Sequence, residues 1–444
     1  MAGAQSSAKP KPMFSLRLVV DKKKNKFVLA QAGRNFVDVL FSILTLPMGT
    51  IVRLLEKYQQ NQKSKAATIG CFNNLYKSVH DLSTASFMKE VCKDMLLHPR
   101  SVMENQRRGL KLNVDDIEDL KYYMCTTKDF YATCRPAYSN FSSSRCYCGQ
   151  LMAEQIEYQE GLGCKAFVSE KTLFTISDNM KVGFTTTGFT LKTLESLGYT
   201  DFNQLHEMLE VVDHGKIVES DAVHTLFRNT LDRCVLETEL MCNDKDAKSS
   251  AKSSRTSSTW SGKDFVDLLF TFLVLPLNSA WKLSGSDVVL GCIGNLFESV
   301  KGLSSSNSSN TLTGKCVLPW YYSCQQTLLD VSYEDLPPVM NYNGGALKPM
   351  DPRVDKIAEG EVISGFVKGG MTFMISDDLI ITPFSSTICS LKKWKLDLDD
   401  IEEHVIKISK TEAITLLRAS LMTSTALTTA FGSLLPKKPK EEMI

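Results

Sequence analysis

The chain has 444 residues, 43% hydrophobic and 23% charged, with 51 Lys and Arg set against 50 Asp and Glu. That is ordinary for a folded protein of two to four domains, and it excludes a disordered or fibrous chain. A formal net charge of +1 provides no global field to draw in nucleic acid or an acidic partner.

Residues 1–12 are small, polar and basic, without the apolar run of a secretory signal. Thirteen cysteines, an odd number, then point to reduced thiols and a cytoplasmic or nuclear protein. From Phe14 to Val20 apolar residues alternate with Ser15 and Arg17, a polar Asp21–Asn25 turn follows, and Lys26 to Ala30 reads as the returning strand. The lysines at this hairpin tip are read as solvated charge.

The stretch Gly33 to Pro47 dominates the chain. Phe36, Val39, Leu40, Ile43 and Leu44 share one helical face, and Val37 and Phe41 widen it until the helix must be buried. Pro47 is expected to end this helix and admit another beginning at the proline. Only fourteen uncharged residues separate Asp38 from Arg53, short of the ~20 a membrane-spanning helix needs.

The same stretch returns as Gly262 to Pro276, with nine of fifteen positions identical. Further matches follow in order. Gly70-Cys71 and the helix after it answer to Gly291-Cys292. Tyr122-Tyr123-Met124-Cys125 answers to Tyr321-Tyr322-Ser323-Cys324, Phe167-Val168 to Phe366-Val367, and Phe174 to Asp178 to Phe373 to Asp377. The chain therefore holds two copies of one unit. Cys71 and Cys292, set among apolar residues, read as core fillers. Asp178 and Asp377 read as hairpin-turn residues. Closing helices place Val223, Leu226 and Phe227 against Ile414, Leu417 and Leu421. The fold class expected is α+β: two pseudo-repeated lobes of short β-hairpins and buried helices, 14–240 and 262–432. The Ser- and Lys-rich stretch 243–261 is expected to be a flexible linker without regular structure.

One constellation carries chemistry. Cys125, Cys134, Cys146 and Cys148 lie within the segment 122–152, and Gly149 supplies the permissive backbone of a ligand turn. Four thiolates in a short polar segment suit a closed, structural zinc site. A single residue between Cys146 and Cys148 makes that turn tight, and His98 and Cys164 are reserve ligands should Cys134 point away. In the second copy the positions of Cys134, Cys146 and Cys148 hold Tyr333, Gly345 and Leu347, so the site exists once. Its loss is expected to loosen 122–152 and leave the second copy folded.

No phosphate-binding loop, zinc-protease helix or nucleophile elbow occurs. No reaction can be derived from these residues. The balance falls toward a non-enzymatic module that binds an unknown protein partner. One alternative is an enzyme with its site in a cleft between the lobes. Another is a single-strand binder using Arg135 and Arg145 beside Tyr138, Phe141 and Tyr147, against which the neutral net charge argues.

The duplicated Phe-Val-Asp-Val-Leu-Phe-x-x-Leu-x-Leu-Pro phrase, the segment Arg145-Cys-Tyr-Cys-Gly149 and the Ile-Ser-Asp turns together resemble the plant family designated domain of unknown function 674. The resemblance spans residues 14–432. It implies a duplicated plant protein and no particular activity. The chain departs from that pattern in its second copy, which lacks the opening lysine-rich hairpin and the paired cysteines.

Overall fold

The computed structural model describes residues 13–24, 26–61, 68–108, 110, 121–127, 134–156, 167–168, 173–213, 258–285, 292–303, 312, 314–323, 328–340, 345–354, 364–384 and 405–434. The architecture is mixed α+β. Strands β1 (Met13–Asp21) and β2 (Lys26–Gly33) form the expected hairpin, and α1 (Arg34–Ile43) and α2 (Met48–Asn61) follow it. Then come α3 (Phe72–Asp81), α4 (Glu90–Leu97) and strands β3 (Tyr122–Met124), β4 (Ala137–Tyr138) and β5 (Glu154–Ile156). A second hairpin, β6 (Leu173–Ser177) and β7 (Val182–Phe184), and strand β8 (Leu205–Asp213) complete a five-stranded sheet in the order β7-β6-β2-β1-β8. Phe14, Leu16 and Leu18 of β1 face the core, as their alternation requires.

Among the described residues, the second copy repeats this plan with fewer strands. β9 (Ser258–Ser261) precedes the helix Lys263–Val274, followed by the helices Leu277–Leu283 and Cys292–Leu303. β10 (Cys316–Pro319), β11 (Val331–Glu334), β12 (Val339–Met340) and β13 (Ala346–Pro349) lead to the hairpin β14 (Phe373–Ser376) and β15 (Ile381–Pro383). The order β15-β14-β9 reproduces β7-β6-β2. Thr259 sits opposite Ile375 as Ala30 sits opposite Ile176. Here the expectation for the linker is corrected: its last four residues are strand β9, because the Thr259-Trp260 pair extends beside β14. Residues 243–257, and the closing helix of the first copy with Val223, Leu226 and Phe227, lie outside the described residues. In the second copy Leu417 and Leu421 of the helix Lys410–Met422 are buried, and Ile414 packs against the same core.

In α1 every residue from Phe36 to Ile43 is buried. It ends at Ile43, three residues short of Pro47, whereas the second-copy helix runs to Val274 and Pro276 caps the next helix. The two prolines face each other in an antiparallel bridge. The Met48 N–H donates to the Leu275 carbonyl and the Leu277 N–H to the Leu46 carbonyl, both at 2.9 Å. These bonds join symmetry-equivalent positions, so the copies meet about a local twofold at their Leu-Pro turns. Phe36 is 1% exposed, while its counterpart Phe265 is only partly buried, a departure from strict equivalence. Ile176 and Ile375 are both fully buried.

Across that axis the copies exchange contacts. Ser78 on α3 accepts from the Ile381 N–H of the second copy at 2.9 Å, and Ser299 accepts from the Val182 N–H of the first at 2.8 Å. Asn74 donates to the Asp378 carbonyl, and its equivalent Asn295 to the Asn179 carbonyl. Each copy's Gly-Cys helix thus packs on the other's hairpin, and one hydrophobic cluster runs through both copies. Met180 and Leu379, both buried, hold φ of 62° at the same turn position. Asp178 and Asp377 are turn residues, as expected: one pairs with Lys26 at 2.7 Å, the other accepts from the Thr428 N–H at 2.7 Å.

Asp38 and Asp267 lie inside these apolar helices at matching positions. Asp38 accepts from the N–H groups of Phe167 and Val168 at 2.8 and 3.0 Å and pairs with Arg34 at 3.2 Å. Asp267 does the same for Phe366 and Val367 at 2.7 and 3.0 Å and pairs with Lys263 at 2.8 Å. Each carboxylate pins the Phe-Val segment of its own copy to the buried helix.

Candidate metal centre

The segment around the four cysteines builds its own scaffold. β3 pairs with β5, Tyr123 bridges to Ser139, and Arg145 bridges to Leu151 to close a tight turn. Within that turn the Cys146 N–H donates to the Gln150 carbonyl and the Gly149 N–H to the Cys146 carbonyl, both at 2.7 Å. Gly149 sits at φ 88°, where a side chain would be strained. The single-residue spacing that looked crowded is accommodated by this glycine.

The sulfur atoms of Cys125, Cys134, Cys146 and Cys148 all lie within 4.8 Å of one another. Cys125 Sγ is 3.5 Å from Cys148 Sγ and 3.6 Å from Cys134 Sγ. A tetrahedral centre with metal–sulfur bonds of about 2.3 Å requires sulfurs about 3.8 Å apart. The four sulfurs are close enough to be compatible with one metal ion, with a small contraction of the widest pair. Cys134 points inward, so no reserve ligand is needed: His98 caps the end of α4 outside the group, and Cys164 lies outside the described residues. No disulfide forms among the described cysteines.

Backbone N–H groups stabilise charge on the sulfurs, Cys148 donating to the Cys146 sulfur and Gln150 to the Cys148 sulfur. Burial pushes the thiols of Cys134 and Cys146 up. At Cys148 burial also raises the pKa, but the Gln150 N–H, the Thr127 hydroxyl and the neighbouring thiols outweigh it and leave it lowered to about 6. The Thr127 hydroxyl, 2.8 Å from Cys125 Sγ, is a neighbour that spacing alone could not reveal.

The second copy supplies part of the centre's wall. β13 pairs in parallel with β4, with the Lys348 N–H donating to the Pro136 carbonyl and the Met350 N–H to the Tyr138 carbonyl, both at 3.0 Å. Met350, 1% exposed, packs among Cys125, Cys134 and Cys146. Beside it, Asp351 holds the fully buried Arg353 through two bonds of 2.7 and 2.9 Å. Arg353 also donates to the Gly365 carbonyl at 2.8 Å, one residue before the segment held by Asp267. Leu347, at the position of Cys148, is buried against Tyr122, Tyr138 and Val339. The second copy is therefore not independent of the cysteine centre.

The rings offered for single-strand stacking are mostly committed elsewhere. Tyr138 and Phe141 are 2% and 5% exposed, and Arg135 already lies 5.4 Å over the Tyr147 ring. Between the copies, Arg100, Glu104, Tyr138, Asn140, Leu336 and Pro337 line a cavity with room for a water-sized occupant. Among the described residues, no helix is long and apolar enough to cross a membrane.

Fold and site together define a duplicated α+β protein with a four-cysteine group that could hold a metal ion. Residues 10–261 and 258–411 each match the family described as protein of unknown function (DUF674), and the chain belongs to that family. No curated protein and no solved structure matches the chain.

Proposed function

We propose that this protein is a non-enzymatic protein-interaction module, held in shape by a structural zinc ion at Cys125, Cys134, Cys146 and Cys148. The observation that carries the reading is the convergence of four sulfurs with no fifth ligand among the described residues. Four protein ligands fill a tetrahedral ion and leave no position for substrate, which makes such a centre structural. An all-sulfur tetrahedron suits zinc or iron, and zinc adds no redox chemistry. Reduced thiols and a metal centre are in keeping with a cytoplasmic or nuclear setting. Duplication places two related surfaces on one chain, which suits a protein partner.

Metal analysis of the full-length protein, purified without chelator, is expected to find one zinc per chain. A metal-free protein that gains no stability on adding zinc would remove the reading. Zinc binding at pH 7 should release protons from Cys134 and Cys146, whose thiols burial pushes up, and fewer from Cys148, lowered to about 6. Calorimetry in buffers of different ionisation enthalpy measures that release. Retention should weaken further as pH falls below about 6, where Cys148 takes up its proton.

A further inference from the structure

We propose that Cys125 and Cys148 form a peroxide-sensitive modification site, at which a hydroperoxide converts the pair to a disulfide and frees the metal. The inference rests on the metal-centre reading above and adds regulation to it.

Position separates Cys148 from the other three ligands. Cys125, Cys134 and Cys146 are buried, whereas Cys148 is half-exposed, and the neighbouring Thr127 is open to solvent. A small oxidant therefore meets Cys148 first. Its sulfur lies 3.5 Å from that of Cys125. A disulfide needs about 2.05 Å. The required approach is about 1.5 Å, and Cys148 lies on a solvent-facing turn next to Gly149, whose φ of 88° marks a backbone without a side chain to obstruct it.

The chemistry balances with peroxide as the sole oxidant. The Cys148 thiolate attacks one peroxide oxygen, the O–O bond breaks, hydroxide leaves, and Cys148 becomes a sulfenic acid. The Cys125 thiolate then attacks the Cys148 sulfur, the S–S bond forms, the S–O bond breaks, and a second hydroxide leaves. The two sulfurs give up two electrons, and both hydroxides take a proton from solvent to become water. Cys134 and Cys146 remain as ligands, too few to close a tetrahedral site.

The test uses full-length, zinc-loaded protein treated with hydrogen peroxide, with a chromophoric chelator reporting free zinc and non-reducing peptide mapping reporting the bond. One zinc per chain should be released in step with a Cys125–Cys148 disulfide, and a dithiol with added zinc should reverse both. Cys148→Ser is expected to abolish the disulfide but also weakens metal binding, so the mapping on the unaltered chain decides. Cys71→Ser, which removes a buried thiol far from the centre in sequence, should leave release unchanged. Retained zinc, a disulfide between other cysteines, or irreversible oxidation of Cys148 without a disulfide would overturn the proposal while leaving the metal centre standing. Protein that carries no metal from the start would overturn both.

Discussion

Replacing Asp267 by alanine is expected to destabilise the protein by about 3–5 kcal/mol, the cost of removing one partner from a buried, hydrogen-bonded charge pair. The carboxylate serves the Phe366 and Val367 N–H groups and Lys263 at once. Alanine leaves the two buried amides without an acceptor and takes away the carboxylate partner of Lys263, which keeps its bond to the Ser364 carbonyl. Asp267→Asn should cost less, because its carbonyl oxygen still accepts from both amides while its amide group faces Lys263. Asp38→Ala should behave in the same way through Phe167, Val168 and Arg34. Burial holds both carboxyls above the usual carboxylate range despite the bonds that lower them. A raised carboxyl contributes stability that is present below the ordinary carboxylate pKa and lost as pH rises through the raised value. The gap between the unaltered chain and Asp267→Asn should therefore be widest in acid. Denaturant unfolding of the three proteins between pH 3 and 7 measures this. A loss of under about 1 kcal/mol for Asp267→Ala would show that the Phe-Val segment is not held there.

The role of Asp38 illustrates what the sequence could and could not show. An aspartate repeated at one position inside two otherwise apolar helices marks a buried acid, but its partners lie about 130 residues away in the chain, beyond any local pattern. The hairpin, the buried helix, the proline starts and the cysteine cluster were legible because periodicity, proline geometry and ligand spacing act within a few residues. β9 was hidden because its Ser-rich composition reads as linker, and only pairing with β14 makes it a strand. The exchange of contacts through Ser78 and Ser299 was equally hidden, since repeats reveal that units are alike and not how they interlock. Met350 carries no metal-site signal of its own. It enters the centre only because β13 lies beside β4.

With the proposed zinc bound, that placement would make the centre a clasp between the copies. Chelating the metal, or substituting Cys148→Ser, is expected to loosen residues 134–152 and, with them, residues 339–350 of the second copy. Without the ion, four thiols must fill the same space. Those with raised pKa stay neutral, and the turn around Gly149 keeps its backbone bonds but loses the tie that would join it to Cys125 and Cys134. β4 would then no longer offer β13 a fixed edge, and the Pro136 and Tyr138 carbonyls would lose their bonds to Lys348 and Met350. Hydrogen exchange on the full chain should show residues 346–350 losing protection together with 137–152. The Leu-Pro junction around Pro47 and Pro276, joined by separate bonds, should keep its protection. Met350→Ala approaches the clasp from the other side without touching a ligand. It should cost about 2–5 kcal/mol as a buried methionine truncation, and zinc should transfer faster to a competing chelator. If chelation exposes 137–152 while exchange at 346–350 stays unchanged, the centre shapes only its own copy and the coupling fails.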